Sequence, residues 1–248
     1  MAMEQNALDT GCAPSDFERA ENCLVTPAVS AGRRRFHAEP SDFSMTTFGR
    51  GTVISAVPAL HAEITERLLS AGSLTLYEPE KRALINDSLA KIGKHLYYDS
   101  IYYLPDPNFP QPATARVPGY QIQLYRDEEI RALYEISGNF PNALLRQENR
   151  TEGLRTDRIA AAAYAADGEL AAMAGASDDS ELFWQIGIDT AVPHRERGLA
   201  SALVGLLTAE ILAMGAIPYY GTWNANILSQ NTARACGYFP AWCYMACS

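Results

Sequence analysis

Cysteine is scarce in this chain, and no long run of apolar residues occurs in it. The 248 residues include only five cysteines: Cys12, Cys23, Cys236, Cys243 and Cys247. The number is odd and no CxxC pair is present, so neither a disulfide framework nor a bound metal is expected. The chain also lacks a run of about eighteen consecutive apolar residues, which a membrane span needs. It likewise lacks an apolar N-terminal signal region. We therefore expect a cytoplasmic protein with reduced thiols and no membrane partner.

Basic residues are also in short supply. Lys and Arg number 20 against 29 Asp and Glu, which gives a formal net charge of −9. A nucleic-acid-binding protein usually presents a basic face, and the only basic run, Arg33-Arg34-Arg35, is typical of a solvated turn. We therefore expect no nucleic-acid partner. The acidic balance favours the approach of a cationic substrate such as an amine.

The chain does contain enough apolar material for a packed core. It is 48% hydrophobic and 20% charged, which is typical of globular proteins, and its length suits one large domain or two modest ones. Residues 105–112 hold four prolines, which neither a helix nor a central strand accommodates. We interpret them as a linker at the end of an N-terminal α/β domain, residues 1–112, before a C-terminal domain, residues 113–248.

Hydrophobic periodicity predicts strands and helices in both domains. In the N-terminal domain it predicts strands at residues 51–57 and 95–104 and helices at residues 16–24, 58–69 and 79–92. In the C-terminal domain it predicts strands at residues 120–125, 158–166, 169–176, 182–190, 216–222 and 239–247, and helices at residues 127–137, 198–214 and 227–236. We therefore expect an α/β fold in which a mixed, bent sheet has helices on both faces and a smaller α/β unit precedes it.

The most informative segment joins the strand at residues 182–190 to the helix at residues 198–214. Its turn carries Arg195 and Arg197, and Gly198 opens the helix, followed by small residues. A helix N-terminus offers unpaired backbone N–H groups and a partial positive charge, which suit a phosphate. Glycine lets a phosphate approach the backbone closely, and arginines add complementary charge. This junction is therefore a predicted anion site.

Two motifs connect this site to a known family. Residues 195–200, Arg-Glu-Arg-Gly-Leu-Ala, resemble the acyl-CoA signature Gln/Arg-x-x-Gly-x-Gly/Ala of the GNAT superfamily of N-acetyltransferases. Residues 223–238 resemble the superfamily's later motif, in which Asn or Ser precedes a short helix that ends in Gly-Phe/Tyr. Both motifs lie in the family order within residues 119–248, which the resemblance covers. Residues 48–55 are loosely similar to the extra domain of two-part bacterial GNAT proteins.

The resemblance implies a GNAT-like fold and a defined reaction. An acetyl group would pass from acetyl-CoA, the co-substrate, to a primary amine of a small molecule, without a metal. The motif region holds no plausible nucleophilic cysteine, which favours direct transfer. The implied CoA contacts come from the strand, the turn and the later motif: Ile188, Thr190, Arg195, Arg197, Gly198, Leu199, Ala200, Ser201, Asn226 and Ser229.

The chain departs from the family pattern at both proton-transfer positions. Many GNAT enzymes carry a glutamate base about eleven residues before the first motif residue, where this chain has Trp184, and a tyrosine acid four residues before the Gly-Phe/Tyr pair, where it has Ala233. A nearby imidazole, His194, lies in the turn, and we expect it to be solvated. The candidate catalytic residues are instead the nearest carboxylates and a spare tyrosine: Glu181, Asp189 and Tyr220.

Two alternative functions stay open from the sequence. The departures at Trp184 and Ala233 also fit a non-catalytic acyl-CoA-binding or sensing protein. A protein or peptide N-acetyltransferase is the second alternative, because the loops that shape the acceptor site carry no signature. A phosphate-binding oxidoreductase is disfavoured, since no G-x-G-x-x-G turn follows an early strand. We expect a monomer or a homodimer.

Overall fold

The structure is a computed structural model that describes residues 1–35, 39–109, 115–144 and 157–248. Over these residues the chain divides into two compact units. The first unit comprises Met1–Tyr102, Trp223–Ala225 and Ala241–Ser248, and the second comprises Tyr103–Thr222 and Asn226–Pro240. Each unit contains both strands and helices, as the composition and periodicity predict.

The strands and helices follow one another along the chain with these bounds. The strands are β1 (Cys23–Val25), β2 (Phe43–Thr47), β3 (Thr52–Ala56), β4 (Leu96–Pro105), β5 (Tyr120–Arg126), β6 (Asp157–Ala165), β7 (Leu170–Asp178), β8 (Phe183–Thr190), β9 (Ile217–Trp223) and β10 (Tyr238–Cys247). The helices are α1 (Ala2–Thr10), α2 (His61–Arg67), α3 (Pro79–Ala90), α4 (Arg131–Tyr134), α5 (Leu199–Ala213) and α6 (Ile227–Ala235).

The first unit is built on a small mixed sheet. Strand β3 lies between β1, to which it is parallel, and β2, to which it is antiparallel. The end of β10 pairs antiparallel with β2, from Cys243 opposite Thr47 to Ala246 opposite Ser44. Every residue of β2 and β3 is buried, because α2 and α3 pack on one face of these strands and α1 packs on the other.

A buried ion pair in this unit corrects one prediction from the sequence. We expected Arg33, Arg34 and Arg35 to form a solvated turn, but Arg33 and Arg34 are both buried. The Nε atom of Arg34 lies 2.5 Å from Oδ2 of Asp9, and the two side chains are 1% and 6% exposed. The Arg34 guanidinium also lies over the Trp242 ring, 5.4 Å from its centroid. Charge pairing and a π face compensate the guanidinium for its lost hydration.

The two units differ from the contiguous halves predicted from the sequence. The C-terminal residues Ala241–Ser248 belong to the first unit, because β10 completes its sheet beside β2. The unit boundary at Tyr102 also precedes the proline-rich segment 105–112, of which residues 110–112 lie outside the described residues. The predicted division at residues 112 and 113 stays a prediction about which segments fold independently.

The second unit is built on strands β5 to β9. Strands β5, β6, β7 and β8 pair antiparallel in chain order, and β9 then pairs parallel with β8. Strands β6 and β7 are rich in alanine, and residues Ala160–Ala163 are fully buried. Small side chains on both faces let helices approach the sheet closely.

Helices lie on both faces of this sheet, as the sequence predicts. On one face Ile130, Leu133 and Phe140 pack against Ala160 and Met173. Helix α5 packs against β6, β7 and β8. We place α5 on the opposite face. The strand residues whose side chains point away from α4 are as completely buried as those that point towards it, so a second element must cover them. The prediction of a mixed sheet flanked by helices is therefore confirmed.

Helix α5 is the longest helix of the described chain, with 15 residues. It follows Gly198, and Gly215 lies beyond its end with a φ of 81°, so the predicted bounds hold to within a residue. Most of its apolar residues, including Leu203, Leu207 and Ile211, are buried, whereas Leu212 is exposed. Among the described residues no helix combines the length and apolar character that crossing a bilayer requires.

Two local predictions were wrong, and two elements were missed. The helix predicted at residues 16–24 is replaced by a 3₁₀ turn at Pro14–Glu18 and by strand β1, because pairing with β3 outweighs a weak local helical pattern. Helix α1 and strand β2 were not foreseen. The helix predicted at residues 127–137 is shorter, since a 3₁₀ turn at Asp127–Ile130 precedes the four residues of α4.

Candidate functional site

A split between two neighbouring strands forms the centre of the candidate site. Strand β8 pairs with β7 along its whole length, from Asp178 opposite Trp184 to Ala172 opposite Thr190. It pairs with β9 only over Phe183–Gln185, although both strands continue. Residues Ile186–Thr190 therefore present backbone groups without a strand partner on the β9 side; we call them the free edge of β8. Such groups need a partner if they are shielded from water.

The free edge leads into a turn with an unusual backbone. Glu196 and Gly198 have φ angles of 62° and 79°, and Gly198 is the N-cap of α5 with no side-chain capping bond. Apart from its two chain neighbours, no described residue has an atom within 4 Å of the place where a Cβ of Gly198 would stand. The backbone N–H groups of Leu199, Ala200 and Ser201 therefore begin a long helix beside open space, which is the geometry of an anion site.

Both arginines of the turn are exposed. Arg195 donates a hydrogen bond from Nε to the backbone oxygen of Thr190, at 3.3 Å, so its side chain ties the turn to the end of β8. Arg197 is exposed beside it. The structure therefore brings together the predicted strand end, both arginines and the helix start in one place, and it leaves the guanidinium groups accessible to a phosphate.

His194 has a structural environment that the sequence did not reveal. Its side chain is 12% exposed, whereas we expected it to be solvated. Its Nδ1 lies 2.9 Å from the hydroxyl of Tyr120, at the start of β5, and its Nε2 lies 3.5 Å from Oε2 of Glu169. His194 thus links the turn to β5 and to the hairpin between β6 and β7.

The start of α6 is capped by a side chain of the later motif. The Oδ1 atom of Asn226 accepts a hydrogen bond from the backbone N–H of Ser229, at 3.2 Å. At the other end of α6, the Sγ of Cys236 donates to the backbone oxygen of Ser201, at 3.4 Å. This contact joins α6 to the first turn of α5, so both motifs contribute to one region of the second unit. Burial raises the pKa of the Cys236 thiol to about 11, which leaves it unreactive at neutral pH.

Tyr220 is the candidate proton donor beside the point where β8 and β9 separate. It belongs to β9 just beyond the last residue paired with β8 and is 3% exposed. Burial raises the pKa of its phenol; a hydrogen bond with Ser229 opposes the rise, and the charges of Cys236 and Asp189 add to it. A phenol with a raised pKa stays neutral at physiological pH and is able to donate a proton.

Asp189 is fully engaged by a loop on one face of the sheet. Its Oδ2 accepts hydrogen bonds from the backbone N–H groups of Asn142 and Ala143, at 2.6 and 3.2 Å. Its Oδ1 accepts one from the side-chain amide of Asn142, at 2.7 Å. Sequence reasoning identified the carboxylate as a possible base and did not foresee these bonds. Both carboxylate oxygens of Asp189 therefore accept hydrogen bonds from the loop that contains Phe140–Leu144.

Two glycines allow that loop to lie flat on the sheet. Gly175 of β7 and Gly187 of β8 are directly opposite each other in the register. A Cβ at Gly187 would overlap the backbone oxygen of Asn142, and one at Gly175 would overlap that of Ala143. An isolated glycine within a strand is a sequence signal of close backbone approach. Only the structure shows which backbone approaches.

The paired end of β8 carries the remaining candidate. Glu181 is exposed at the tip of a tight turn in which the Ser180 N–H donates to the oxygen of Phe183, at 3.1 Å. Nearby, the buried hydroxyl of Tyr219 donates to the buried carboxylate of Asp179. Glu181 therefore stands at the paired end of the strand, whereas Asp189 lies within the free edge and Tyr220 stands just beyond the last paired residues. No group of three His, Cys, Asp or Glu side chains among the described residues is arranged to hold a metal ion.

Comparison with known proteins finds similarity in structure alone. No family model matches the chain, and no curated protein matches its sequence. A GCN5-related N-acetyltransferase-like protein from Streptococcus suis is 16% identical, with 68% of each chain covered and a TM-score of 0.44. A tandem GNAT protein from the clavulanic acid biosynthesis pathway is 15% identical, with 83% of this chain and 64% of that chain covered and a TM-score of 0.46.

A shorter similar structure is AAC(6′)-Iy in complex with the bisubstrate analog CoA-S-monomethyl-acetylneamine. It is 18% identical, with 49% of this chain and 92% of that chain covered and a TM-score of 0.36. This chain thus spans about two thirds of the length of the first two proteins and most of the third. At these identities a functional assignment has to rest on the chain's own motifs and geometry.

Proposed function

We propose that this chain is an acetyl-CoA-dependent N-acetyltransferase that transfers an acetyl group directly to a primary amine of a small molecule. One observation carries the proposal: the free edge of β8 runs into the open, glycine-capped N-terminus of α5. An extended chain with a pyrophosphate at one end matches both parts of this arrangement. The arm of CoA has that form.

The CoA-binding roles follow from what each group offers. The N–H groups of Leu199, Ala200 and Ser201 suit the pyrophosphate, with Arg195 and Arg197 supplying positive charge. Backbone groups of Ile188 and Thr190, on the free edge, suit the amides of the pantetheine arm. The Asn226 amide and the Ser229 hydroxyl suit the same arm from α6. Metal ions take no part in these interactions.

The chemical step needs an amine, a polarised carbonyl and a proton donor. The neutral amine nitrogen forms a bond to the thioester carbon, and the C–S bond then breaks with its electron pair going to sulfur. A free-edge N–H directed at the carbonyl oxygen stabilises the developing negative charge, which is usually the largest catalytic contribution. The Tyr220 phenol is the proposed donor of the proton that neutralises the thiolate. The amine loses its extra proton to a carboxylate or to water.

Tyr220 compensates for the departure at Ala233. Ala233 is fully buried in α6. Because alanine has no proton to donate, no proton donor stands at the family's usual position. Tyr220 reaches the same helix from β9 through Ser229, its hydrogen-bond partner in the first turn of α6. Glu181 and Asp189 stay as predicted proton acceptors, although the bonds of Asp189 to Asn142 favour another role.

The test is thiol release from acetyl-CoA in the presence of a panel of small primary amines. We expect turnover with at least one amine and none without amine. CoA should bind more tightly than pantetheine, because only CoA carries the pyrophosphate. Tight CoA binding without turnover on any amine or peptide would instead establish the acyl-CoA-binding alternative. Turnover confined to peptides would establish the protein N-acetyltransferase alternative.

A further inference from the structure

We infer that Asp189 is a positioning residue that holds the loop Phe140–Leu144 beside the free edge of β8, where this loop forms a wall of the acceptor-amine site. The inference rests on the proposed function, since it assigns the loop to the acceptor of that reaction. It changes the role of Asp189 from candidate base to anchor. Three features carry it: the bonds to the loop, the glycine pair beneath the loop, and the face on which the loop lies.

The carboxylate binds the loop through charge-assisted hydrogen bonds. Two backbone N–H groups, of Asn142 and Ala143, and the Asn142 side-chain amide all point at Asp189. Hydrogen bonds to an ionised acceptor are roughly twice as strong as neutral ones. A carboxylate that accepts three of them at once is well suited to fix a loop, because both of its oxygens are already occupied by donors of that loop.

The glycine pair shows that the close approach is part of the fold. Side chains at Gly175 and Gly187 would occupy the positions of the loop's carbonyl oxygens. Ala143 and Leu144 are buried against the sheet, whereas Pro141 and Asn142 remain exposed. The loop is therefore anchored at its far end and by Asp189, while its tip stays accessible to a small molecule.

The position of the loop assigns it to the acceptor. Gly187 and Asp189 lie within the free edge, along which the acetyl-CoA arm is proposed to run. Strand alternation places their side chains on the face of Met173, which α4 and the loop cover. Ile186 and Ile188 point to the other face, where α5 packs. An amine that approaches the free edge away from α5 therefore meets the loop.

The central experiment compares Asp189→Asn with the wild-type enzyme. Asparagine keeps the shape but removes the charge and turns one acceptor into a donor that faces the loop's own donors. We expect the KM for the amine to rise about tenfold, because this change corresponds to the loss of roughly one charge-assisted hydrogen bond. The KM for acetyl-CoA and the Kd of CoA should change by less than about twofold, since β7 still holds the backbone of Asp189. The matched control, Asp167→Asn, removes an exposed hairpin carboxylate and should change none of these values.

A second variant and a second measurement separate positioning from catalysis. Gly187→Ala leaves the carboxylate in place but displaces the loop, so it should raise the KM for the amine in the same way. Hydrogen exchange at the Asn142 and Ala143 amides should accelerate in both variants. A large loss of kcat in Asp189→Asn with both KM values unchanged would identify a proton acceptor and overturn the inference. Unchanged amine kinetics and unchanged exchange would overturn it as well.

The failure of the proposed function gives a different result. If the wild-type protein acetylates no amine, the proposed function is overturned and the acceptor role of the loop is overturned with it. The exchange measurement still decides in that case whether Asp189 anchors the loop. A wild-type enzyme that is active, with an Asp189→Asn variant that behaves identically, overturns the positioning role alone.

Discussion

A matched pair of glycine substitutions tests the anion site most directly. Gly198 and Gly215 stand at opposite ends of α5 and have nearly equal φ angles, 79° and 81°. Apart from the chain neighbours of each glycine, no described residue has an atom within 4 Å of the place where a Cβ would stand. Replacement by alanine therefore introduces the same backbone strain and no steric overlap at either site. Only Gly198 lies beside the N–H groups proposed to bind the CoA pyrophosphate.

The expected magnitudes follow from this geometry. An L-residue in the left-handed conformation costs about 1–2 kcal/mol, so each substitution should lower the free energy of unfolding by about 1 kcal/mol and the Tm by about 2–4 °C. In Gly198→Ala the new methyl group should also displace the pyrophosphate from one or two charge-assisted bonds, worth about 1.5–3 kcal/mol. The Kd of CoA should therefore rise about 10- to 100-fold.

Calorimetric titration with CoA and thermal denaturation measure both effects on the same preparations. Gly215→Ala should show the lowered Tm with an unchanged Kd of CoA. Gly198→Ala should show both the lowered Tm and the raised Kd of CoA. Equal effects of the two substitutions on CoA affinity would mean that binding responds only to the stability of α5. An unchanged affinity in both variants would place the pyrophosphate elsewhere and refute the proposed site.

Three further predictions concern single side chains. Tyr220→Phe should lower kcat about 10- to 100-fold without changing the Kd of CoA, because it removes the proposed proton donor. Burial raises the pKa of the Tyr220 phenol. In a pH–rate profile the wild-type rate should therefore persist up to at least about pH 10 before deprotonation of this phenol reduces it. Cys236→Ala should retain turnover within about threefold, since a buried thiol with a pKa of about 11 is not a nucleophile; complete loss in a folded variant would indicate an acyl-enzyme. Asp9→Ala should lower the free energy of unfolding by about 3 kcal/mol in urea denaturation, because it leaves the buried Arg34 charge without its carboxylate; a change below about 1 kcal/mol would contradict that reasoning.

Local patterns were most informative where the backbone conformation depends on neighbouring residues. The predicted helix at residues 198–214 agrees closely with α5, Leu199–Ala213, because glycine favours the positive φ angles before and after it and apolar residues repeat at helical spacing. The predicted strand at residues 182–190 agrees with β8 for a similar reason. The site proposed for the pyrophosphate could therefore be located from the sequence.

Local patterns failed where distant pairing decides the structure. Nothing near Cys23 indicates a strand, since β1 exists through its parallel pairing with β3. Nothing near Asp189 indicates that Asn142 and Ala143 will bind its carboxylate. The residue types at these positions are compatible with several roles. Contacts between segments that are remote along the chain select one of them.

The sequence by itself determined the strand–turn–helix junction at Gly198, the order of most strands and helices, and the two motifs that resemble an acyl-CoA site. Only the tertiary structure decided that β8 and β9 pair over Phe183–Gln185 and then separate, that Tyr220 stands just beyond this point, and that Asp189 faces a loop. The physical reason is that a strand's own residues set its extended conformation, whereas its hydrogen-bond partners lie on other strands. The free edge of β8 is thus a property of two segments together, and neither segment predicts it alone.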